Sequence, residues 1–592
     1  MKNFIMAMLI GIWFVSGSLT TYAAAEEGDK KPLNEVFDQI VIVPFDYQNK
    51  VFANGQKTDF YQDYQIVQRD GHILVPIRLM SDLATQASQY SSMWEAVWQP
   101  QNPNDVLLKN SNLNKIIKFT VNSKTMLVNN LPHAIDIAPQ KINGRIVLPL
   151  RSAAEALDKK IDWLDGLVLI GDENVDLQNP QTLAIKDRIK AELTDTRKRV
   201  DYTQTVYPIT KYGNSVYYFK RSYTNNSEIQ ALYKKADGQK EVQVRIQGNA
   251  IFDFANVIDD ELYYISMVNN KAELDAFNLA ENKSRKICAV EQWRPGDGWL
   301  VSIEKIDNEL YVNLHSGDLT MGSEALYKVD HGALKSVAGA KSFIRFIKEG
   351  DYIYQTDFAP MNGGADNLNR VDTKTGEASS IGEPGFAYGI NRKIDDRGIS
   401  FGTSHAMYIK DGYLYTLGYK ESDPKDVSSV YKINLADGTQ VKLSSPANEF
   451  WMVDNRIYYS DSSTGYLGRV DLNGNNDQIL VKRKLMRAQF FNGSLYYTAS
   501  ENTKDSSGLG ELYRYDTANG REVKLSDKSV SSYYAGSAGV YYLSNGYDLG
   551  LYKIDAAGRN VRLVKDTINS AVLTDEGIVY TMAYKEGIYS AK

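Results

Sequence analysis

Cysteine is nearly absent from this chain: Cys288 is the only one, so no intramolecular disulfide can form. Flanked by Ile287 and Ala289, with no histidine close in sequence, it reads as a small buried hydrophobe rather than a nucleophile. Histidine is scarce as well. The five are His72, His133, His315, His331 and His405, with no His-x-His pair. A copper centre needs several imidazoles converging on one point, so no metal site and no cofactor are expected. Basic excess is missing: Lys+Arg number 67 against Asp+Glu 73, for a net charge of -6. Without a basic stripe to meet a phosphate backbone, nucleic acid is excluded as a partner. No apolar run beyond the first 25 residues is long enough to span a bilayer.

What is abundant is tyrosine, 40 residues against 19 Phe and 7 Trp. Tyrosine suits a pleated, half-buried surface and tilts the reading toward β-structure. At 592 residues the chain needs several cores. Its N-terminus has the order of a secretory signal: Lys2, an apolar stretch from Phe4 to Val15, and Ala23-Ala24-Ala25 before Glu26. Cleavage after Ala25 is expected, followed by a flexible segment over 26–37 and no membrane span afterwards. An exported chain without disulfides suits a Gram-positive-like exterior, secreted and associated with the cell envelope.

Residues 38–174 contain one pattern twice. Val51-Phe52-Ala53-Asn54-Gly55, Leu74-Val75-Pro76-Ile77-Arg78 and Val97-Trp98 answer to Leu127-Val128-Asn129-Asn130, Val147-Leu148-Pro149-Leu150-Arg151 and Ile161-Asp162-Trp163. Asn-Gly and Asn-Asn tolerate positive φ and mark hairpin turns. Proline at a strand-to-helix junction fits a first helical turn. Each copy reads as hairpin, strand, short helix, strand.

The run from Leu148 to Leu157, with Ile161-Asp162-Trp163 and Gly166-Leu167-Val168-Leu169-Ile170, resembles the copper amine oxidase-like N-terminal stalk domain of exported Gram-positive proteins. The resemblance implies no oxidase activity. In those enzymes the metal and the tyrosine-derived quinone lie in a separate catalytic domain, and no Asn-Tyr-Asp/Glu motif is present here.

Asn179-Pro180 is a plausible helix start, and Ala184, Ile185, Ile189 and Leu193 recur at helical spacing. Residues 175–200 are therefore expected to form a helical connector that spaces two domains. From 201 to 592 a unit recurs with a period of about 43 residues. Its mark is an aliphatic-aromatic strand, as in Leu262-Tyr263-Tyr264, Ile457-Tyr458-Tyr459 and Val540-Tyr541-Tyr542. A second strand and a polar Gly turn follow, such as Asp437-Gly438 or Asn519-Gly520. Four strands per such unit make a propeller blade. The fold expected is mainly β: a small duplicated α/β stalk domain followed by a large β-propeller of about 7–9 four-stranded blades. This half resembles lipoprotein-receptor-type propellers and their bacterial relatives of unknown function. Because the last unit stops after its third strand, the segment 199–206 is expected to supply the missing one and close the ring.

Three local signals bear on function. Asp471, Asn473, Asn475 and Asp477 alternate like a calcium loop, but Asn476 and Lys482 stand where Gly and Glu are needed, so a turn is the better reading. Gly398-Ile399-Ser400-Phe401-Gly402 matches a nucleophile elbow, yet a β-type strand follows rather than a helix. Unit spacing stretches to about 60 residues between Tyr354 and Tyr415, and the excess carries Tyr388, Arg392, Asp395, Asp396, Arg397 and His405. Loops on a rigid scaffold carry function, so these six are the candidate ligand-binding residues, against the alternative of a solvated loop. No catalytic residue is assigned. The function expected is a non-catalytic binding or scaffold protein whose propeller presents a surface for wall polymer, extracellular glycan or protein. The alternative is an extracellular polysaccharide lyase or hydrolase with acids at the channel mouth.

Overall fold

The structure, a computed structural model, describes residues 40–592 apart from 46–49, 54–55, 60–65, 70, 88–92, 202–204, 225–226, 292–297, 319–321, 338–342, 359–363, 396–397, 405, 500–509 and 545–547. The expected secretory signal and the expected flexible segment 26–37 lie outside the described residues. The protein is mainly β, a stalk domain followed by a β-propeller. Among the described residues no helix is long and apolar enough to cross a membrane.

The duplication becomes a pseudo-twofold in the stalk. Strand His72–Pro76 of the first copy pairs antiparallel with Arg145–Pro149 of the second, in the register Val147↔Pro76, Leu148↔Val75 and Pro149↔Leu74. Exchanging the copies leaves that register unchanged, so one sequence pattern supplies both halves of the central pairing. Each strand runs into a helix: α1 (Ile77–Ala87) and α2 (Leu150–Ala156). Pro149 stands just before α2 at φ -60 and ψ 116, as its N-cap, one position earlier than the first helical turn. Leu79, Leu83 and Ala84 of α1 join Leu150, Ala153 and Ala154 of α2 in one apolar core with Val75 and Leu148. Asn129 and Asn130, at φ 49 and 67, make the tight turn between strands Thr125–Val128 and Leu131–Ala134.

Helix α3 (Pro180–Leu193) starts as its sequence implies, with the Asn179 side chain accepting the Gln181 N–H at 2.9 Å. It is a layer of the stalk rather than a free-standing spacer. Ile185, Ile189 and Leu193 are buried against Ile42, Phe52, Leu167 and Leu169. The reason is hydrophobic: both faces of the strand Leu167–Gly171 are apolar, and the second face needs a cover.

Downstream, the described residues form nine consecutive antiparallel units: blades 1 to 9 at 206–243, 249–290, 298–336, 343–380, 386–446, 447–481, 486–524, 532–564 and 568–591. One strand, Gln440–Val453, serves two blades, pairing with blade 5 as far as Pro446 and with blade 6 from Ala447. Tyrosine fills the wedge between blades. The largest fully buried side chains, among them Tyr217, Tyr264, Tyr311, Tyr415, Tyr497 and Tyr541, are all tyrosines. Several buried tyrosine hydroxyls find repeat-phased acceptors. Tyr218, Tyr459, Tyr497 and Tyr542 stand at one blade position and donate to Glu241, Asp477, Glu522 and Asn560.

The ring closes where expected but by another device. Among the described residues of 199–206 there is no added strand. Val200 donates one backbone hydrogen bond to Ala583 O at 2.8 Å, and nearby Arg197 reaches Asp566 at 2.9 Å. Blade 9 has three described strands. Closure is instead side-chain packing: inner strands Val206–Tyr212 and Ile568–Thr574 lie side by side, and Val206, Val216 and Tyr218 bury against Val579 and Ile588. Apolar interdigitation between blades is enough to hide both faces at the seam.

Candidate ligand-binding site

The insertion in blade 5 is a two-stranded hairpin, Ile390–Asp395 with Gly398–Thr403. It does not gather the residues expected of it. Tyr388 is 1% exposed, stacked between Gly382 and Gly418, and its hydroxyl donates to Gln440 Oε1 and accepts the Glu383 N–H. Arg392, 4% exposed, donates to the carbonyls of Asp423 and Pro424 and stacks on Tyr419. Both are framework side chains that anchor the hairpin, which corrects their assignment as ligand contacts. Asp395 is exposed at the hairpin end. Asp396, Arg397 and His405 lie outside the described residues.

The remaining sequence signals resolve into structure. Asp477 accepts the hydroxyl of Tyr459 together with the Ser445 N–H and Oγ–H, at 2.7 and 2.8 Å, while Asn476 bonds Asp471. The segment 471–477 is a turn between the third and fourth strands of blade 6. Ser400 sits mid-strand in the hairpin, with no strand-to-helix elbow. Cys288 is fully buried, and burial pushes its thiol up to about 11.

The sequence points to the channel mouth but to no residue of it. Inner strands of blades 1, 2 and 9, with the strand ends of blades 7 and 8, surround a cavity of about 1090 Å³. A bulge in strand Asn249–Ile258, where the register shifts between Ile251 and Asn256, turns Asp253 toward it. Aromatic side chains come from Tyr207 and Phe491, and polar groups from Asn256, Ser537 and Ser570. Five carboxylates line it, and each already serves a neighbour. Asp253 pairs with Arg221 and accepts from Gln230, Asp259 holds Lys305 at 2.9 Å, and Glu576 faces Lys211 at 3.7 Å. Asp575 accepts the Ser537 hydroxyl at 2.7 Å. Asp260 lies beside the Tyr212 hydroxyl, whose pKa rises through desolvation and through that carboxylate. Arg221 also stacks over Tyr207 at 4.4 Å, so the rim is a built aromatic and charged surface. These positions escaped the sequence because they fall outside the tyrosine-marked strand. Phasing the inner strand of each repeat would have found them.

Among the described residues no group of three His, Cys, Asp or Glu side chains is placed to hold a metal ion. His72 pairs with Asp136, His133 is exposed on the stalk, His315 is buried against Trp299, and His331 is exposed in blade 3.

Residues 52–167 match the copper amine oxidase N-terminal domain family. No curated protein matches the chain. Among solved structures, similarity is found to one from a study of two prolyl endopeptidases, at 12% identity and TM-score 0.33, covering 65% of this chain and 63% of that one. An oligogalacturonate lyase from Vibrio parahaemolyticus is similar at 11% identity and TM-score 0.32, over 62% of this chain and 96% of the other. The β-propeller domain of a trilobed protease from Pyrococcus furiosus, described as having an open velcro topology, is similar at 12% identity and TM-score 0.28, over 55% and 97%.

Proposed function

We propose that this is an exported, envelope-associated binding and scaffold protein, with the propeller channel taking a hydroxyl-rich chain of wall polymer or glycan. The observation that carries the reading is the channel itself. It is large enough for several sugar units, it offers aromatic side chains beside acceptor groups, and its described carboxylates are held in ion pairs or hydrogen bonds. A glycosidase or lyase needs a carboxyl group poised to move a proton. Asp259 and Glu576 instead face lysines, and Asp575 a serine hydroxyl.

The test is co-sedimentation of the secreted chain with purified cell-wall fractions, with analysis of the soluble saccharides afterwards. Retention without release of shortened chains supports the reading. Release of shortened chains would establish the lyase or hydrolase alternative, with Asp259, Asp260, Asp575 and Glu576 as the first acids to replace. No retention on any wall fraction would sink the binding role.

A further inference from the structure

The stalk carries a second site, which we propose binds an anionic polymer through its repeating phosphate or carboxylate groups. Two cavities, of about 360 and 720 Å³, meet at the same pair of side chains, His72 and Asp136, and form one groove between the two copies of the duplication. Its charge runs against that of the chain, which is -6 overall. Arg151 stands at one end, and Arg69, Lys124 and Lys141 stand at the other, all four exposed. Among the described residues none of these cations has an ion pair; Arg69 donates to the neutral amide of Gln140 at 2.8 Å. The one described carboxylate of the groove is already engaged by neighbours. Asp136 meets His72 Nδ1 at 3.2 Å and accepts the Ile137 N–H at 2.9 Å and the Ser152 hydroxyl at 3.4 Å.

Four cations around a concave surface focus a positive potential along its length, and the ligand that answers it carries regularly spaced negative charge. Arginine offers a planar fork to phosphate or carboxylate oxygens, whereas lysine contributes a mobile point charge. A third feature favours a chain with rings. Trp163 is 48% exposed at the Arg151 end, held edge-to-face by Phe45 at 5.9 Å, so its indole has an open surface fixed in orientation. An aromatic face beside cations suits a sugar or polyol chain bearing anionic groups. This site is separate from the propeller channel, and the inference does not rest on what the channel binds.

The sequence hid the groove because its residues come from five separated stretches, at 68–73, 121–124, 136–141, 149–151 and 161–168. Only the pairing of the two Pro-ended strands brings them together.

The experiment is titration calorimetry of the full secreted chain at low salt, with poly(glycerol phosphate) in one arm and polygalacturonate in the other. Neutral dextran serves as the comparison. Binding of an anionic polymer that weakens as salt is added is expected, and which arm binds identifies phosphate or carboxylate as the source. The double replacement Lys141→Glu with Arg151→Glu, both at exposed positions, should weaken it on the order of tenfold or more with an unchanged melting temperature. The proposal is overturned if neither anionic polymer binds, if dextran binds as well as they do, or if the double replacement leaves affinity unchanged.

Discussion

Closing the propeller by packing rather than by strand exchange has a measurable energetic signature. Val216 of blade 1 and Val579 of blade 9 are 5% and 0% exposed, and both belong to the cluster that joins the first blade to the last. Replacing either by alanine removes two buried carbon atoms, worth about 0.8 kcal/mol each, and leaves a small cavity that the rigid strands cannot fill. Each single change should therefore cost about 1.5–2.5 kcal/mol. The two sites are far apart in sequence and share partners only if the ring is closed. Made together, they should cost less than the sum of the two, with a coupling of about 0.5 kcal/mol or more, because the second truncation opens a cavity already present. Urea unfolding followed by tryptophan fluorescence measures all four corners of the cycle. Strict additivity, or single costs below about 0.5 kcal/mol, would mean that blades 1 and 9 do not meet as described.

Further consequences follow from particular side chains. Gly389, at φ +69, leads into the blade 5 hairpin, and an added Cβ would stand 2.4 Å from Thr356 Oγ1. Gly389→Ala should therefore destabilise by about 2 kcal/mol or more, read from the unfolding midpoint. Asp275 is 5% exposed and hydrogen-bonded by Ser266, and desolvation raises its pKa above the usual aspartate range. A carboxyl raised on folding gives stability that is present below its unfolded pKa and is lost as pH rises through the folded one. Asp275→Asn should accordingly flatten the decline of stability above about pH 4, and an unaltered pH profile would count against it. Cys288 should resist a thiol reagent such as dithionitrobenzoate in the native state and react on unfolding; rapid native labelling would contradict its burial. A chain beginning at Asp195, lacking the stalk together with α3, should fold as a propeller, whereas one beginning at Val175 should expose Ile185 and Ile189 and aggregate, as light scattering would show.

The features legible in the sequence are those in which one residue type repeats at one structural position. Tyr263-Tyr264, Tyr458-Tyr459 and Tyr541-Tyr542 mark the blades because each wedge needs a large flat side chain with a polar tip, and the pattern returns with every turn of the repeat. The stalk duplication is legible for a related reason. Pro76 and Pro149 must each end a strand at the start of a helix, and the strands they end are paired with each other. Where the environment comes from elsewhere in the chain, the same reasoning misleads. Tyr388 and Arg392 lie in an insertion, and insertions are commonly exposed; yet Gly382, Gly418 and the turn carrying Asp423 close over them. Helix α3 has the composition of a solvated connector, and only the apolar outer face of strand Leu167–Gly171 makes it a structural layer.

The same logic explains why the residues of both proposed binding surfaces were invisible in the sequence. A repeat protein hides its sites in departures from the repeat, and those departures lie where several units converge. The channel is built from blades 1, 2, 7, 8 and 9, whose inner strands and following turns carry Tyr207, Asp253, Phe491, Ser537 and Ser570, a different kind of side chain from one blade to the next. The stalk groove is built from both copies of the duplication, yet its cations fall outside the duplicated motif except for Arg151. Arg78 answers to Arg151 in the first copy but is absent from the groove lining. Residues that maintain a repeated fold must recur, and residues that bind need only converge. In this chain, the side chains that break the pattern at a point of convergence are therefore the ones to replace first.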